Sequence, residues 1–111
     1  MRSYLERNRD FLQFFHRLTP KQRNAILPNL SGNHINTIAE IFRNFLNKNL
    51  THDKKVIRKV RHCKNEIRAV ALKQTPHYKK KQILQSRRGG AILSVLLPLA
   101  AGLISSLITR R

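Results

Sequence analysis

Apolar residues in the first half of the chain recur every three or four places, which is the spacing of one face of an α-helix. The first run predicts a helix over residues 4–17. Ser3 and Glu6 have the spacing of a capping box, in which each side chain accepts a hydrogen bond from the other residue's backbone N–H. The apolar positions of this helix are Tyr4, Leu5, Phe11, Leu12, Phe14, Phe15 and Leu18.

Two prolines delimit a second, short helix. Thr19 and Gln22 form another capping box, and Pro20 takes the first helical position, where its missing N–H costs no hydrogen bond. Pro28 ends the helix. The apolar face of this helix is predicted to consist of Ala25, Ile26 and Leu27.

A turn over residues 29–32 precedes a third helix, predicted over residues 34–48. Thr51 is the predicted N-cap of a fourth helix, in which apolar residues repeat at intervals of four and three. The third helix has its apolar face at Ile35, Ile38, Ile41, Phe42, Phe45 and Leu46. The fourth has its apolar face at Val56, Val60, Cys63, Ile67 and Val70.

The helical pattern ends near residue 73. Thr75-Pro76 interrupts it, neighbouring lysines repel one another, and Gly89-Gly90 removes local stiffness. We therefore predict an all-α protein with no β-structure. It has a four-helix domain over residues 3–73, a flexible basic linker over residues 74–90 and an apolar C-terminal helix within residues 91–111.

Positive charge dominates the composition, with 23 Lys and Arg against 5 Asp and Glu and a formal net charge of +18. Residues 54–88 contain thirteen of these cations and one acid, Glu66. A solvated helix face is the ordinary reading of such a run, but this excess favours polyanions, which release counterions when cations neutralise phosphates. The predicted contacts are Lys54, Lys55, Arg58, Lys59, Arg61, Lys64, Arg68, Lys73, Lys79, Lys80, Lys81, Arg87 and Arg88.

The expected partner is nucleic acid, duplex DNA before RNA, bound without regard to sequence. The chain has no zinc-finger spacing, no basic zipper and no RNA-recognition signature. Aromatic residues make up only 6% of it and Trp is absent, which argues against stacking on unpaired bases. Phosphate contacts are therefore the expected mode of binding.

Residues 91–109 form nineteen consecutive uncharged positions. As a helix they would measure about 28 Å, close to the hydrocarbon thickness of a bilayer. Three alternatives stay open: contact with a membrane, contact with a capsid protein or a second copy, and packing within the chain itself. The residues concerned are Leu93, Leu96, Leu97, Leu99, Leu103, Ile104, Leu107 and Ile108.

The sequence leaves two further functions open besides binding of nucleic acid. With a membrane contact, the basic segment would lie on anionic headgroups, and the protein would be membrane-anchored or membrane-active. A third type of function is an interaction module that docks exposed aromatic residues on a partner. The aromatic residues that this reading requires at the surface are Phe11, Phe14, Phe42 and Phe45.

No pattern in the chain suggests an enzyme, a cofactor or a metal. The histidines are scattered, the acids form no local pair, and there is no phosphate-binding glycine loop. A lone Cys63 supplies neither a disulfide nor a thiolate cluster, and its place on an apolar face predicts packing. The first residues are also unlike a signal peptide, because charged residues interrupt their apolar run.

The junction between the basic and apolar segments, Arg88-Gly89-Gly90-Ala91-Ile92-Leu93 followed by Leu96-Leu97-Pro98-Leu99-Ala100-Ala101, resembles the end of the adenovirus mu core protein precursor. That family joins a cationic, DNA-condensing part to Gly-Gly and an apolar tail. Similar basic proteins look to be encoded by integrated adenovirus-like elements of the Maverick or Polinton type.

The resemblance implies a core or minor capsid protein that condenses a viral genome in the virion and in the host nucleus. It also implies cleavage by a viral protease at Gly89-Gly90, after Gly90. It covers about 25 of the 111 residues and leaves residues 1–73 outside.

Overall fold

The computed structural model describes the backbone of residues 7–47 and 53–109 and the side chains of residues 7–46 and 53–102. Within these ranges the chain forms seven α-helices and one 3-10 turn, and no strand, so the all-α prediction is confirmed. The helices are α1 (Arg9–Arg17), α2 (Pro20–Ile26), α3 (Gly32–Asn47), α4 (Lys54–His62), α5 (Lys64–Ala71), α6 (His77–Gln85) and α7 (Arg87–Thr109).

The start of α2 follows the predicted capping box. Thr19 Oγ1 accepts from the backbone N–H of Gln22 at 3.2 Å, and the Thr19 N–H donates to Gln22 Oε1 at 2.9 Å. Pro20 takes the first helical position, and a 3-10 turn over Leu27–Asn29 follows the helix. The box predicted around Ser3 lies outside the described residues.

Helix α3 passes through the centre of the molecule. The Ser31 hydroxyl caps it by accepting from the His34 N–H at 3.2 Å. It packs chiefly on α5, with further contacts to α6 and α7. Its buried apolar residues are Ile35, Ile38, Ala39, Ile41, Phe42 and Phe45.

The predicted fourth helix is divided in two at Cys63. This residue leaves helical geometry, with φ −103° and ψ 25°, although its N–H still donates to Lys59 O and its carbonyl still accepts from Ile67 N–H, both at 3.0 Å. The Cys63 side chain is buried, so the bend occurs where α4 and α5 share the core. Asp53 caps α4 by accepting from the Lys55 N–H at 2.9 Å, whereas the predicted cap, Thr51, lies outside the described residues.

The prediction of a flexible linker over residues 74–90 is wrong where α6 forms. Pro76 precedes the helix in an extended conformation, and Leu84 on its inner face is fully buried. Two side chains of α6 also reach backbone carbonyls: Lys81 Nζ donates to Pro28 O at 2.9 Å and Gln85 Nε2 to Asn24 O at 3.2 Å. The core therefore orders a stretch whose charges alone would oppose a helix.

Helix α7 packs against α1 and α6, and its first half completes the core. Of the three alternatives for the apolar segment, packing within the chain describes the side chains up to residue 101. Those that join the buried cluster are Ile92, Leu93, Leu96, Leu97 and Ala100. Among the described residues, no helix is both long enough and apolar enough to cross a membrane.

Gly89 lies close to the backbone at the end of α6. Ser86 Oγ accepts from the Gly89 N–H at 3.0 Å and thereby caps α7. A Cβ built on Gly89 would overlap the backbone carbonyl of Ile83, whereas one on Gly90 would lie 3.5 Å from Leu84 O, an ordinary contact. Only the first of the two glycines is therefore required by packing.

This difference predicts opposite effects for two alanine substitutions. Gly89→Ala should lower the free energy of unfolding by about 1–3 kcal/mol, because a backbone carbonyl must move. Gly90→Ala should raise it by up to about 1 kcal/mol, because alanine favours the helix more than glycine does. Urea unfolding followed by circular dichroism measures both. Equal effects would contradict the close approach at Gly89.

The role of α7 in the core predicts the outcome of a truncation. Removing residues 91–111 should abolish cooperative unfolding, because losing one large buried side chain typically costs about 2–5 kcal/mol and a domain has only about 5–15 kcal/mol in total. Thermal melts of the full and truncated chains, followed by circular dichroism, give the comparison. A truncated chain with an unchanged Tm would show that the helix is not part of the fold.

Candidate polyanion-binding surface

Helices α4 and α5 carry a group of surface cations, which we call the basic face. It consists of Lys54, Lys55, Arg58, Lys59, Arg61, Lys64 and Arg68, all exposed except the half-buried Lys59. No residue of α4 is fully buried, and this helix contacts the core through Val56 and Val60 at its inner edge. One amphipathic stripe thus holds the helix in place and leaves the remaining positions to the cations.

Acidic groups leave this charge almost uncompensated. Between described residues, ion pairs join Arg9 to Asp10 at 3.7 Å and Arg88 to Glu66 at 3.4 Å. Neither pair includes a residue of the basic face. Glu66, the acid within this stretch of sequence, is thus engaged by an arginine from outside it, and the seven cations remain available to an external anion.

Arg88 links the start of α7 to the bend between α4 and α5. Its Nη2 donates to His62 O at 3.0 Å and lies 3.1 Å from His62 Nε2, while Nη1 faces Glu66. The predicted phosphate contact Arg88 therefore lies beside the basic face and also helps to hold α7 against it. Arg87, which precedes Arg88, is exposed.

The remaining predicted cations divide by location. Lys73 and Lys79 are exposed, and the amino group of Lys81 is bonded to Pro28 O. Lys80 is only 2% exposed, so its inclusion among the phosphate contacts was wrong for this fold. The triple-lysine sequence suggested one mobile cluster, but α6 turns successive side chains toward different surroundings.

The amino group of Lys80, a residue that is largely buried, lies in an unfavourable environment. Burial lowers the pKa of Lys80, and the nearby positive charge of Arg43 lowers it further. Both effects oppose protonation, because an ammonium loses hydration in the interior and is repelled by a guanidinium. The protonated state of Lys80 is therefore a cost to the folded protein.

A second buried cation, Arg23, was missed in the sequence. It is 6% exposed, and its guanidinium donates to Leu18 O at 2.7 Å and to Ser94 Oγ at 2.6 Å. Burial lowers its pKa as well. The predicted apolar face of α2 is correspondingly altered, with Leu27 buried and Ala25 exposed. Ser94, a polar residue within the apolar segment, was the sequence signal that a polar side chain faces α7 at this position.

A groove of about 490 Å³ opens beside one end of the basic face. Its residues are Arg43, Leu46, Arg68, Ala71, Leu72, Lys73 and Gln74. Arg43 Nη2 donates to the Ala71 carbonyl at 2.8 Å, which satisfies one of the free carbonyls at the end of α5. Arg43 was also missed, because a single cation on the polar side of an amphipathic helix has no distinctive pattern.

Of the side chains predicted to contact a membrane or capsid, the four that the structure describes pack against the core. Leu93, Leu96 and Leu97 are buried in the core, and Leu99 packs partly against it. The side chains of Leu103, Ile104, Leu107 and Ile108 lie outside the described residues.

The aromatic residues give little support to a docking module. Phe42 and Phe45 are buried and Phe11 is half-buried, stacked between Phe15 and the ring of His34 at centroid distances of 5.2 and 3.9 Å. Phe14, at 54% exposure, is the member of the predicted set that reaches the surface. The described residues hold no group of three potential metal ligands, and Cys63 is buried, as its place on an apolar face predicts.

The predicted cleavage site lies within helical backbone. Gly89 and Gly90 occupy the first turn of α7, and the Gly90 N–H donates to Ser86 O at 2.8 Å.

Comparison of the chain with known protein families, with curated proteins and with solved structures gives no match. The resemblance to the adenovirus mu precursor stays a prediction.

Replacing Lys80 by Met should stabilise the protein on the order of 1 kcal/mol at pH 7, because an unbranched apolar chain fills the site without a buried charge. A pKa lowered in the folded state means that the unfolded state holds more protons. The penalty from Lys80 therefore disappears as the pH rises toward 10.5, its usual pKa. The advantage of Lys80→Met should shrink over the same range, as urea unfolding at several pH values would measure.

The exposed neighbour Lys79 provides the control. Lys79→Met removes the same charge from the same helix but from solvent, so stability should change little and without this pH dependence. If Lys80→Met destabilises the protein at pH 7, the ammonium is favourably accommodated and the proposed cost of burial is wrong.

Proposed function

We propose that this protein binds duplex DNA without sequence preference through the basic face, and that it condenses the nucleic acid. The observation that carries the proposal is the concentration of seven cations on the outer surface of α4 and α5, with the acid of that segment engaged by Arg88. Each phosphate that meets one of these cations releases condensed counterions, which drives binding. No enzymatic step, metal or cofactor is part of the proposal.

The dimensions of the basic face support a duplex as the ligand. At 1.5 Å per residue, the nine residues of α4 extend about 14 Å and the eight of α5 about 12 Å, each roughly the length of four base pairs. A helix that lies along a groove can reach phosphates on both of its margins. Helices α4 and α5 contain no Phe, Tyr or Trp on which an unpaired base could stack, which favours backbone contacts over base contacts.

The resemblance at residues 88–101 extends the proposal to a biological setting. A chain with a net charge of +18 neutralises part of a packaged genome, as expected of a core or minor capsid protein of a virus-like element. The corresponding locations are the virion and the host nucleus. Further copies of the chain and a capsid protein are the partners to be expected there.

A membrane-anchored or membrane-active role is the alternative, and it has less support. It needs apolar side chains at the surface, but the inner face of α7 is occupied by Leu93, Leu96 and Leu97 in the core. The basic face would attract anionic headgroups as well as phosphates of DNA. The two functions therefore differ in whether binding requires a bilayer or only a polyanion.

Removing two charges from the basic face tests the proposal. The logarithm of the affinity for duplexes of unrelated sequence should fall steeply with the logarithm of the salt concentration. In the double variant Arg58→Gln, Arg61→Gln the slope should become less steep. Its magnitude should fall by about 1.8, or about 0.9 for each lost phosphate contact. Fluorescence anisotropy with the full chain and labelled duplexes over a salt series gives these slopes.

A variant with the same net charge separates a surface from a general charge effect. Arg17→Gln, Lys21→Gln removes two exposed cations from α1 and α2, outside the basic face. It should leave the slope close to that of the original protein. If both double variants reduce the slope equally, the DNA contacts the chain through its overall charge and the basic face is not the site.

A further inference from the structure

The groove beside the basic face combines two kinds of lining. Leu46, Ala71 and Leu72 supply apolar surface, whereas Arg43, Arg68 and Lys73 supply positive charge. Leu72 is 54% exposed, the most solvent-exposed apolar side chain in the lining, because α5 ends immediately before it and the chain turns outward. An exposed leucine beside three cations offers apolar contact and positive charge to the same ligand.

The charges around the groove act together on anything that enters it. Arg43 is half-buried and held in position by its hydrogen bond to Ala71 O. Lys80 lies near enough to Arg43 for the arginine's charge to lower the pKa of the lysine. A guanidinium fixed at the edge of a groove with partly apolar walls attracts an anion more strongly than a mobile cation in open water does.

The chemistry of the lining identifies the ligand class. A nucleic acid would satisfy the cations but has little apolar surface to cover Leu72, and the groove has no aromatic ring for a base. A second copy of this chain is opposed by charge, because its 23 cations outnumber 5 scattered acids. A peptide that carries carboxylates next to an apolar side chain satisfies both halves of the groove.

We propose that the groove between α3 and the end of α5 binds an acidic segment of a different protein, with an apolar side chain on Leu72 and carboxylates on Arg43, Arg68 and Lys73. This site binds a different partner from the basic face, which is proposed to bind DNA. Arg68 belongs to both sites. A protein that binds DNA through one surface and an acidic protein segment through another joins the nucleic acid to that protein.

Binding of two synthetic peptides to the full chain tests the proposal. One fluorescein-labelled peptide of about twelve residues has Leu-Leu between runs of Glu and Asp, and the other has Asp-Asp in that place. The leucine peptide should bind more tightly in spite of its smaller charge. Leu72→Ala should weaken its binding by about fivefold to tenfold and leave the all-acid peptide unchanged.

Two further variants complete the design. Tyr78→Ala removes another exposed apolar side chain, 66% exposed and outside the groove, and should affect neither peptide. Lys73→Gln should weaken both peptides. Because Leu72 is exposed, its replacement should leave the fold intact, as circular dichroism will verify.

Two results would overturn the proposal. In one, the all-acid peptide binds as tightly as the leucine peptide, and Leu72→Ala alters neither, which makes the groove a general anion site. In the other, Leu72→Ala weakens binding of a short single-stranded oligothymidylate instead, which assigns the groove to nucleic acid. Neither result depends on whether the basic face binds duplex DNA, since that is measured by the slope of the salt series.

Discussion

Repulsion among the cations is the constraint on which the rest of this structure depends. A net charge of +18 on 111 residues opposes any compact state, and the acids are too few to compensate it. The apolar core must therefore supply the stability, and it draws on every described helix: even α4, which has no fully buried residue, packs Val56 and Val60 against it. The need for more buried surface explains why the apolar segment after Gly90 packs inward.

The same constraint explains the treatment of the two interior cations. The Arg23 guanidinium meets a carbonyl and a hydroxyl, Leu18 O and Ser94 Oγ, in a pocket between α2 and α7. Lys80 is placed beside another cation, so its burial has no comparable compensation. Buried charges with and without hydrogen-bond partners differ in this way throughout proteins, and the described residues include Arg23 as an example of the first and Lys80 of the second.

Local signals in the sequence were sufficient wherever one short motif determines the structure. The Thr19 and Gln22 box, the end of α2 near Pro28 and the apolar face of α3 could all be predicted, because they involve neighbours along the chain. Helix α6 could not, since its order comes from Leu84 in the core and from bonds to the distant carbonyls of Pro28 and Asn24. The cations of the basic face follow from helical periodicity, whereas the burial of Lys80 and the groove at Arg43 arise only from tertiary packing.

The position of the Gly-Gly pair changes what proteolysis would do to this molecule. Gly90 lies in the first turn of α7, and side chains on its C-terminal side, from Ile92 to Ala100, are packed in the core. A protease would have to unwind that turn to bring the bond between Gly90 and Ala91 into its active site. Cutting this bond removes none of the apolar contacts between α7 and the core. The product would be two fragments held together without a covalent link, as in fragment complementation. If α7 later dissociated, α4 and α5 would lose the part of the core that α7 supplies.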